Sequence, residues 1–190
     1  MMSNDIASPA NPRIRAVAKL RDRRERDRTG LTVVDGTREI QRALDGRASV
    51  TEAFVCAALA TSADARRALS ALESAGIRLT AVSAAAFEKI AFGDRAEGIV
   101  AVVRPPSAEL ASLRLPADPL VVVLEAVEKP GNLGAALRSA DGAGADAVIA
   151  ADPNTDVFNP NTIRASAGTV FSVPIAAAPT PDVLAFLRDS

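Results

Sequence analysis

The run Leu120-Val121-Val122-Val123-Leu124 constrains the fold more than any other stretch of this chain. Five consecutive apolar residues cannot alternate between a core face and water, so they read as a strand covered on both faces, the environment of a parallel sheet. Pro119 precedes the run, Pro130-Gly131 turns the chain after it, and residues 133–143 follow at helical spacing. The pattern then repeats in kind: Ala147-Val148-Ile149-Ala150 reads as a buried strand and residues 162–170 as a helix. Val173-Pro174-Ile175 reads as a third short strand and residues 182–187 as a last helix. Alternating strands and helices predict an α/β architecture built on a parallel sheet.

The first half alternates too. Asn11-Pro12 suits a helix entry, because proline at the first turn loses no needed N–H. Strands are expected at 31–34, 50–57, 77–82 and 98–103, with helices at 38–44, 64–75 and 83–90. Arg104-Pro105-Pro106-Ser107 interrupts this pattern, and Pro116 and Pro119 frame a second break. The expected organisation is a disordered polar tail at 1–10, a small α/β domain at 11–104, a linker at 105–118 and a parallel-sheet domain at 119–190.

Composition removes whole classes of chemistry. The 190 residues include no His, Trp or Tyr, and Cys56 is the single cysteine, which excludes Ser-His-Asp and Cys-His triads, histidine metal sites and disulfides within the chain. The carboxylates Glu125, Asp152 and Asp156 show no ligand-like spacing, so no metal is expected. No apolar run approaches the ~18 residues of a membrane span, and the first thirty residues lack a signal-peptide core; a cytoplasmic protein away from membranes is expected.

The net charge of -1 hides an asymmetry: residues 1–104 hold 17 Lys and Arg against 13 Asp and Glu, and residues 105–190 hold 5 against 10. Arg13, Arg15, Lys19, Arg21, Arg23, Arg24, Arg26 and Arg28 crowd one stretch, with Ile14, Val17, Ala18 and Leu20 at helical spacing among them. A basic surface helix is therefore expected. It reads equally as an RNA contact, where phosphate neutralisation releases counterions, and as a solvated helix laced with i,i+4 charge pairs such as Asp22 to Arg26.

The turn from Glu125 to Gly134 leaves the carboxyl end of a buried strand and opens a helix, the place where open parallel sheets bind ligands. Pro130-Gly131 makes the turn, Asn132 stands where a cap would, Gly134 permits close backbone approach, and Arg138 lies six residues beyond Asn132. Taken alone, these residues also fit a plain N-cap and a solvated arginine. A dinucleotide-binding oxidoreductase is disfavoured, because Gly131 and Gly134 lack the first glycine of the G-x-G-x-x-G fingerprint.

Residues 125–141, EAVEKPGNLGAALRSAD, resemble the first signature of the SpoU (TrmH) family of RNA 2′-O-ribose methyltransferases in the SPOUT, or α/β-knot, superfamily. Residues 159–175, NPNTIRASAGTVFSVPI, resemble its second. Residues 11–103 are similar to the family's substrate-binding domain, a small module like an RNA-binding ribosomal protein. The resemblance implies methyl transfer from S-adenosylmethionine to a ribose 2′-hydroxyl of structured RNA, rRNA more than tRNA. It implies Arg138 and Asn132 as catalytic residues, and Glu125, Gly134, Arg164 and Ser166 as lining the site. Arg13, Arg15, Lys19, Arg21, Arg23 and Arg24 stand as the RNA-binding residues. Lys129 takes a position that is acidic in many members.

Members of the family also carry a third motif and a C-terminal segment threaded through a trefoil knot, which holds the methyl donor and makes most of a homodimer interface. The resemblance therefore implies a donor pocket largely beyond Ser190, and a 190-residue chain that is inactive by itself. The rival functional reading is a non-catalytic RNA-binding protein.

Overall fold

A computed structural model describes residues 5–46, 48–92 and 97–189 of the chain. The chain divides into two compact units, Met1–Pro105 and Pro106–Ser190.

In the first unit, helices α1 (Pro12–Lys19), α2 (Arg23–Thr29), α3 (Thr37–Asp45), α4 (Ala63–Ser74) and α5 (Ala84–Ile90) pack on strands β1 (Thr32–Asp35), β2 (Ser49–Val55), β3 (Arg78–Ala81) and β4 (Ile99–Arg104). The strand order is β1-β4-β2-β3. Only β2 and β3 run parallel; β4 is antiparallel to both β1 and β2. Ile14, Val17, Leu20, Phe54, Phe87 and Ile90 are buried together as one core. Ser62 and Ser83 start α4 and α5 by accepting the backbone N–H groups of Ala65 and Ala86, which satisfies donors that an helix leaves orphaned.

Two expectations for this unit change. The tail is not free at residues 5–10: Ile6 is buried, donates its N–H to Ala81 and accepts from Ser83, extending the sheet by an isolated bridge to Val82. Residues 1–4 lie outside the described residues. The basic segment is two helices rather than one, because the Asp22 side chain accepts from the Arg24 N–H and starts α2 afresh.

The second unit carries β5 (Val121–Glu125), α6 (Pro130–Ala143), β6 (Ala147–Ala151), α7 (Pro160–Ala165), β7 (Ile175–Ala178) and α8 (Thr180–Asp189). Its three strands are parallel in the order β5-β6-β7. The central strand β6 is buried along its whole length. The strand from which the parallel sheet was inferred is less covered: β5 stands at the edge of the described sheet, with Val123 43% exposed and neighbouring Leu120 51%. The expected linker is also part of this unit from Ala108 onward. Ala108 accepts the Ala177 N–H, and Leu113 is buried with Ala147, Ile149 and Ala176.

The helix expected over 162–170 is shorter. It ends at Ala165, because Ala167 and Gly168 turn left-handed (φ 53° and 82°), and Thr169–Phe171 form a separate 3-10 turn. No helix among the described residues is long and apolar enough to cross a membrane.

Candidate active site

At the carboxyl edge of β5, the chain enters α6 three residues earlier than its sequence suggests. Pro130 occupies the first helical position, Lys129 precedes it without a side-chain cap, and Asn132 therefore sits inside the first turn rather than at the cap. Proline fits there because its missing N–H has no intrahelical partner in any case. Asn132 faces an open hollow of about 500 Å³ lined also by Glu125, Glu128, Lys129 and Val123. Glu125 and Asn132 thus border the same hollow.

Arg138 belongs to a different part of the helix, about 9 Å along the axis from Asn132 by helical rise. It does not line that hollow, and no hydrogen bond joins it to Asn132. Instead, Gly134 and Arg138 form one i,i+4 stripe facing α7. A Cβ on Gly134 would stand 2.5 Å from the Ala165 Cβ and 2.7 Å from the Ser166 N, so glycine alone lets α7 come this close. One turn further, the exposed Arg138 guanidinium donates to the Ala165 carbonyl oxygen. That carbonyl is among those a helix C-terminus leaves without an intrahelical donor.

The second motif supplies the other side of this seam. Asn159 starts α7 by accepting the Asn161 N–H. Ser166 is fully buried, and its hydroxyl donates to Ile163 O at 2.9 Å, so it anchors the turn after α7 rather than presenting itself at the surface. Arg164 is half-buried on α7. The structure therefore gathers Gly134, Arg138 and Ser166 at the α6–α7 seam, and Glu125 with Asn132 at the strand edge.

One feature of this edge is silent in the sequence. Ala126 and Asp152, the residues directly after β5 and β6, both have left-handed backbones (φ 50° and 43°). They are held there by ladder hydrogen bonds, Ala126 N–H to Ala151 O and Asp152 N–H to Ala178 O, each 2.9 Å. Left-handed non-glycine residues cost about 1–3 kcal/mol and concentrate where function demands a particular backbone. No glycine, asparagine or turn signature marks Ala126, so nothing in the sequence announced it.

The basic run divides into committed and uncommitted charge. Arg13 pairs with Glu52 at 2.5 Å, donates to Thr80 Oγ1 at 2.9 Å and lies 5.3 Å over the Phe54 ring. Arg21 donates to Ala91 O and stacks 4.5 Å over Phe92. Arg26 is buried and donates to Leu20 O and Arg21 O. Arg23 pairs with Asp27 at 3.7 Å and Arg28 with Glu25 at 2.6 Å. Arg28, through its hydrogen bond to Glu25, holds that carboxyl below its ordinary value. Arg15, Lys19 and Arg24 are exposed and make no side-chain hydrogen bond among the described residues, although Lys19 and Arg24 add to the field that lowers Glu25. Among the described residues no cluster of three or more carboxylates and thiols stands ready to hold a metal ion.

Residues 119–190 match the pattern of the SpoU rRNA Methylase family and residues 11–101 that of the MRM3-like substrate binding domain. The 23S rRNA (guanosine(2553)-2′-O)-methyltransferase RlmP of Bacillus subtilis (strain 168) is 32% identical over 183 residues, covering 96% of this chain and 68% of that protein. The chain belongs to the SpoU rRNA methylase family. A solved RNA 2′-O ribose methyltransferase superposes with a TM-score of 0.82 at 37% identity, covering 98% of this chain and 70% of the other. The AdoMet-bound rRNA methyltransferase of Sinorhizobium meliloti gives 0.83 at 26% identity, covering 97% and 68%. Shorter stretches match further curated relatives, among them a 23S rRNA (uridine(2479)-2′-O)-methyltransferase of Streptomyces viridochromogenes, 39% identical over 83 residues that cover 44% of this chain and 29% of that protein.

Family members bind S-adenosylmethionine, but the hollow beside Asn132 does not by itself fit it. None of its lining residues is buried, and no buried polar side chain points into it, whereas a cofactor of this size is held in a largely enclosed cleft.

Proposed function

We propose that this protein methylates a ribose 2′-hydroxyl of ribosomal RNA, as its relatives' names state for them. The observation that carries the reading is the α6–α7 seam: Gly134 admits α7, and Arg138, on the helix that leaves the carboxyl edge of a parallel sheet, is fixed against it. S-adenosylmethionine, which the family uses, supplies an electrophilic methyl group. The chain's own part is geometric and electrostatic. A 2′-hydroxyl must approach in line and lose its proton, so negative charge grows on oxygen and a positioned guanidinium stabilises it. The guanidinium is a poor proton acceptor near neutral pH, so Arg138 acts as an orienting cation whose planar fork also grips a phosphate. Its bond to Ala165 O holds the side chain at the seam and leaves other N–H groups of the fork for substrate.

Asn132 and Glu125 wall the adjoining hollow and orient the target nucleotide; Arg164 and Ser166 fix the turn that carries the Ala165 carbonyl. The first unit binds the RNA, with Arg15, Lys19 and Arg24 as exposed cations on α1 and α2. The protein works as a homodimer in the cytoplasm. Exposed Val123 on β5 and Leu184 and Leu187 on α8, 49% and 38% exposed, support the dimer by offering apolar area to a partner copy. The 190-residue chain alone binds S-adenosylmethionine weakly, as the open hollow suggests.

The test is methyl transfer from radiolabelled S-adenosylmethionine to unmodified 23S rRNA transcript, with a form of the protein that contains residues 1–190 and binds the donor. Label recovered as a 2′-O-methylnucleoside supports the reading. Label on a base, or RNA binding with no transfer, overturns it in favour of another activity or of a non-catalytic RNA-binding protein.

A further inference from the structure

The groove between the first turns of α3 and α4 concentrates arginine in a way the sequence hides, because its residues lie far apart in the chain. Arg38, Gln41 and Arg42 line one wall and Asp64, Arg67 and Ala68 the other, around a hollow of about 480 Å³. Each set is spaced i, i+3, i+4, so each is a single stripe of its helix turned toward the groove. Ala68 is buried, and its small side chain lets the two helices approach.

The side chains of Arg38 and Arg67 are 60% and 75% exposed, one on each wall. Arg38 stands 3.8 Å from the buried Glu39, beyond hydrogen-bond distance, and Arg67 hydrogen-bonds Asp64, which is itself 65% exposed. A surface pair such as Arg67–Asp64 contributes little net energy and can exchange for a better anion. Thr37 also borders the groove, but its hydroxyl is committed to Glu97 at 2.7 Å, and the Gln41 amide donates to Asp45 at 2.9 Å. The donors on offer are therefore surface guanidiniums on opposite walls, which suits an extended polyanion lying along the groove better than a small anion needing an enclosed polar pocket. The basic run at 13–28 has by contrast committed Arg13, Arg21 and Arg26 to its own fold.

We propose that the α3–α4 groove grips the sugar–phosphate backbone of structured RNA, with Arg38 and Arg67 each contacting a phosphate and Asp64 as the counter-charge that the RNA displaces. The inference rests on the reading that this chain acts on rRNA, and adds where the first unit holds it. The test is filter binding of labelled 23S rRNA transcript to the full chain across about 50–200 mM salt, a range in which phosphate contacts are strongly salt-dependent. Arg38→Ala/Arg67→Ala is expected to weaken binding at least tenfold at about 100 mM salt and to flatten the log–log salt slope by about two. Arg15→Ala/Lys19→Ala, which removes the same charge from α1, is expected to weaken it less. Asp64→Asn is expected to tighten binding a few-fold. An unchanged melting temperature in all three variants, expected from the exposure of these side chains, ties any change to RNA contact. No loss in the groove double variant, an equal loss in both double variants, or unchanged or weaker binding by Asp64→Asn overturns the groove while leaving RNA binding intact. No binding by the unsubstituted chain overturns the rRNA reading itself, and the groove with it.

Discussion

Gly134→Ala tests the seam most sharply, because two opposing effects meet at one methyl group. Inside a helix, alanine is favoured over glycine by about 1 kcal/mol, so a glycine with room around it is improved by the change. Gly134 has no room: the added carbon would meet Ala165 Cβ at 2.5 Å, Ala165 C at 2.6 Å and Ser166 N at 2.7 Å. These lie about 1 Å inside normal carbon contact distance, and two of the three atoms are backbone that cannot rotate away. Overpacking of this kind costs about 1–3 kcal/mol, and the backbone partners put it at the upper end. Net of the propensity gain, Gly134→Ala is expected to destabilise the second unit by about 2 kcal/mol, or roughly 8–16 °C in melting temperature for a domain of this size.

Gly142, on the same helix with nothing within 4 Å of its would-be Cβ, is the internal control; its alanine variant should gain up to about 1 kcal/mol. Urea unfolding of both variants gives the two free energies, and amide exchange in 160–166 reports whether α7 has been pushed off. Equal or greater stability for Gly134→Ala, matching Gly142→Ala, would refute the close-packed seam and with it the reason Arg138 reaches the Ala165 carbonyl.

Further expectations follow from single contacts. Arg13→Ala, which removes the Glu52 pair, the Thr80 hydrogen bond and the stack over Phe54, should lower stability by about 1–2 kcal/mol in urea unfolding, whereas Arg24→Ala should stay within about 0.5. Glu25 should titrate below the ordinary glutamate range in carboxyl NMR. Its pairing with Arg28 therefore favours the fold above the unfolded carboxyl's pKa and is lost as pH falls through the lower folded value; in Arg28→Ala the midpoint should move up toward normal, with Lys19 and Arg24 still acting to lower it. Calorimetric titration of S-adenosylmethionine into the 190-residue chain should show no micromolar binding, given the open hollow beside Asn132, and micromolar binding would count against that reading.

Much of this was legible in local patterning. The β6 run 147–150 and the strand–turn–helix at 120–143 follow from burial periodicity and turn residues, which short segments determine by themselves. What escaped the sequence depends on partners distant along the chain. Arg13 looks like free charge until Glu52, Phe54 and Thr80 are placed beside it, and Ile6 looks like tail until it is bonded to Ala81. The left-handed backbone at Ala126 carries no residue signature, so the strained strand edge could not be read in advance, whereas Gly168, two residues past the cap, marks the end of α7 that the helical spacing overran. The grouping of the candidate residues was not legible: Asn132 and Arg138 share a helix and not a pocket wall.

The most direct measurement maps ribose methylation across 23S rRNA in cells making the protein with Arg138 or with Arg138→Lys, which keeps the charge and loses the planar fork. A guanidinium stationed at the α6–α7 seam to steady a reacting ribose oxygen predicts a 2′-O-methyl mark that appears with arginine and vanishes with lysine. The same mark at the same level in both strains would contradict it.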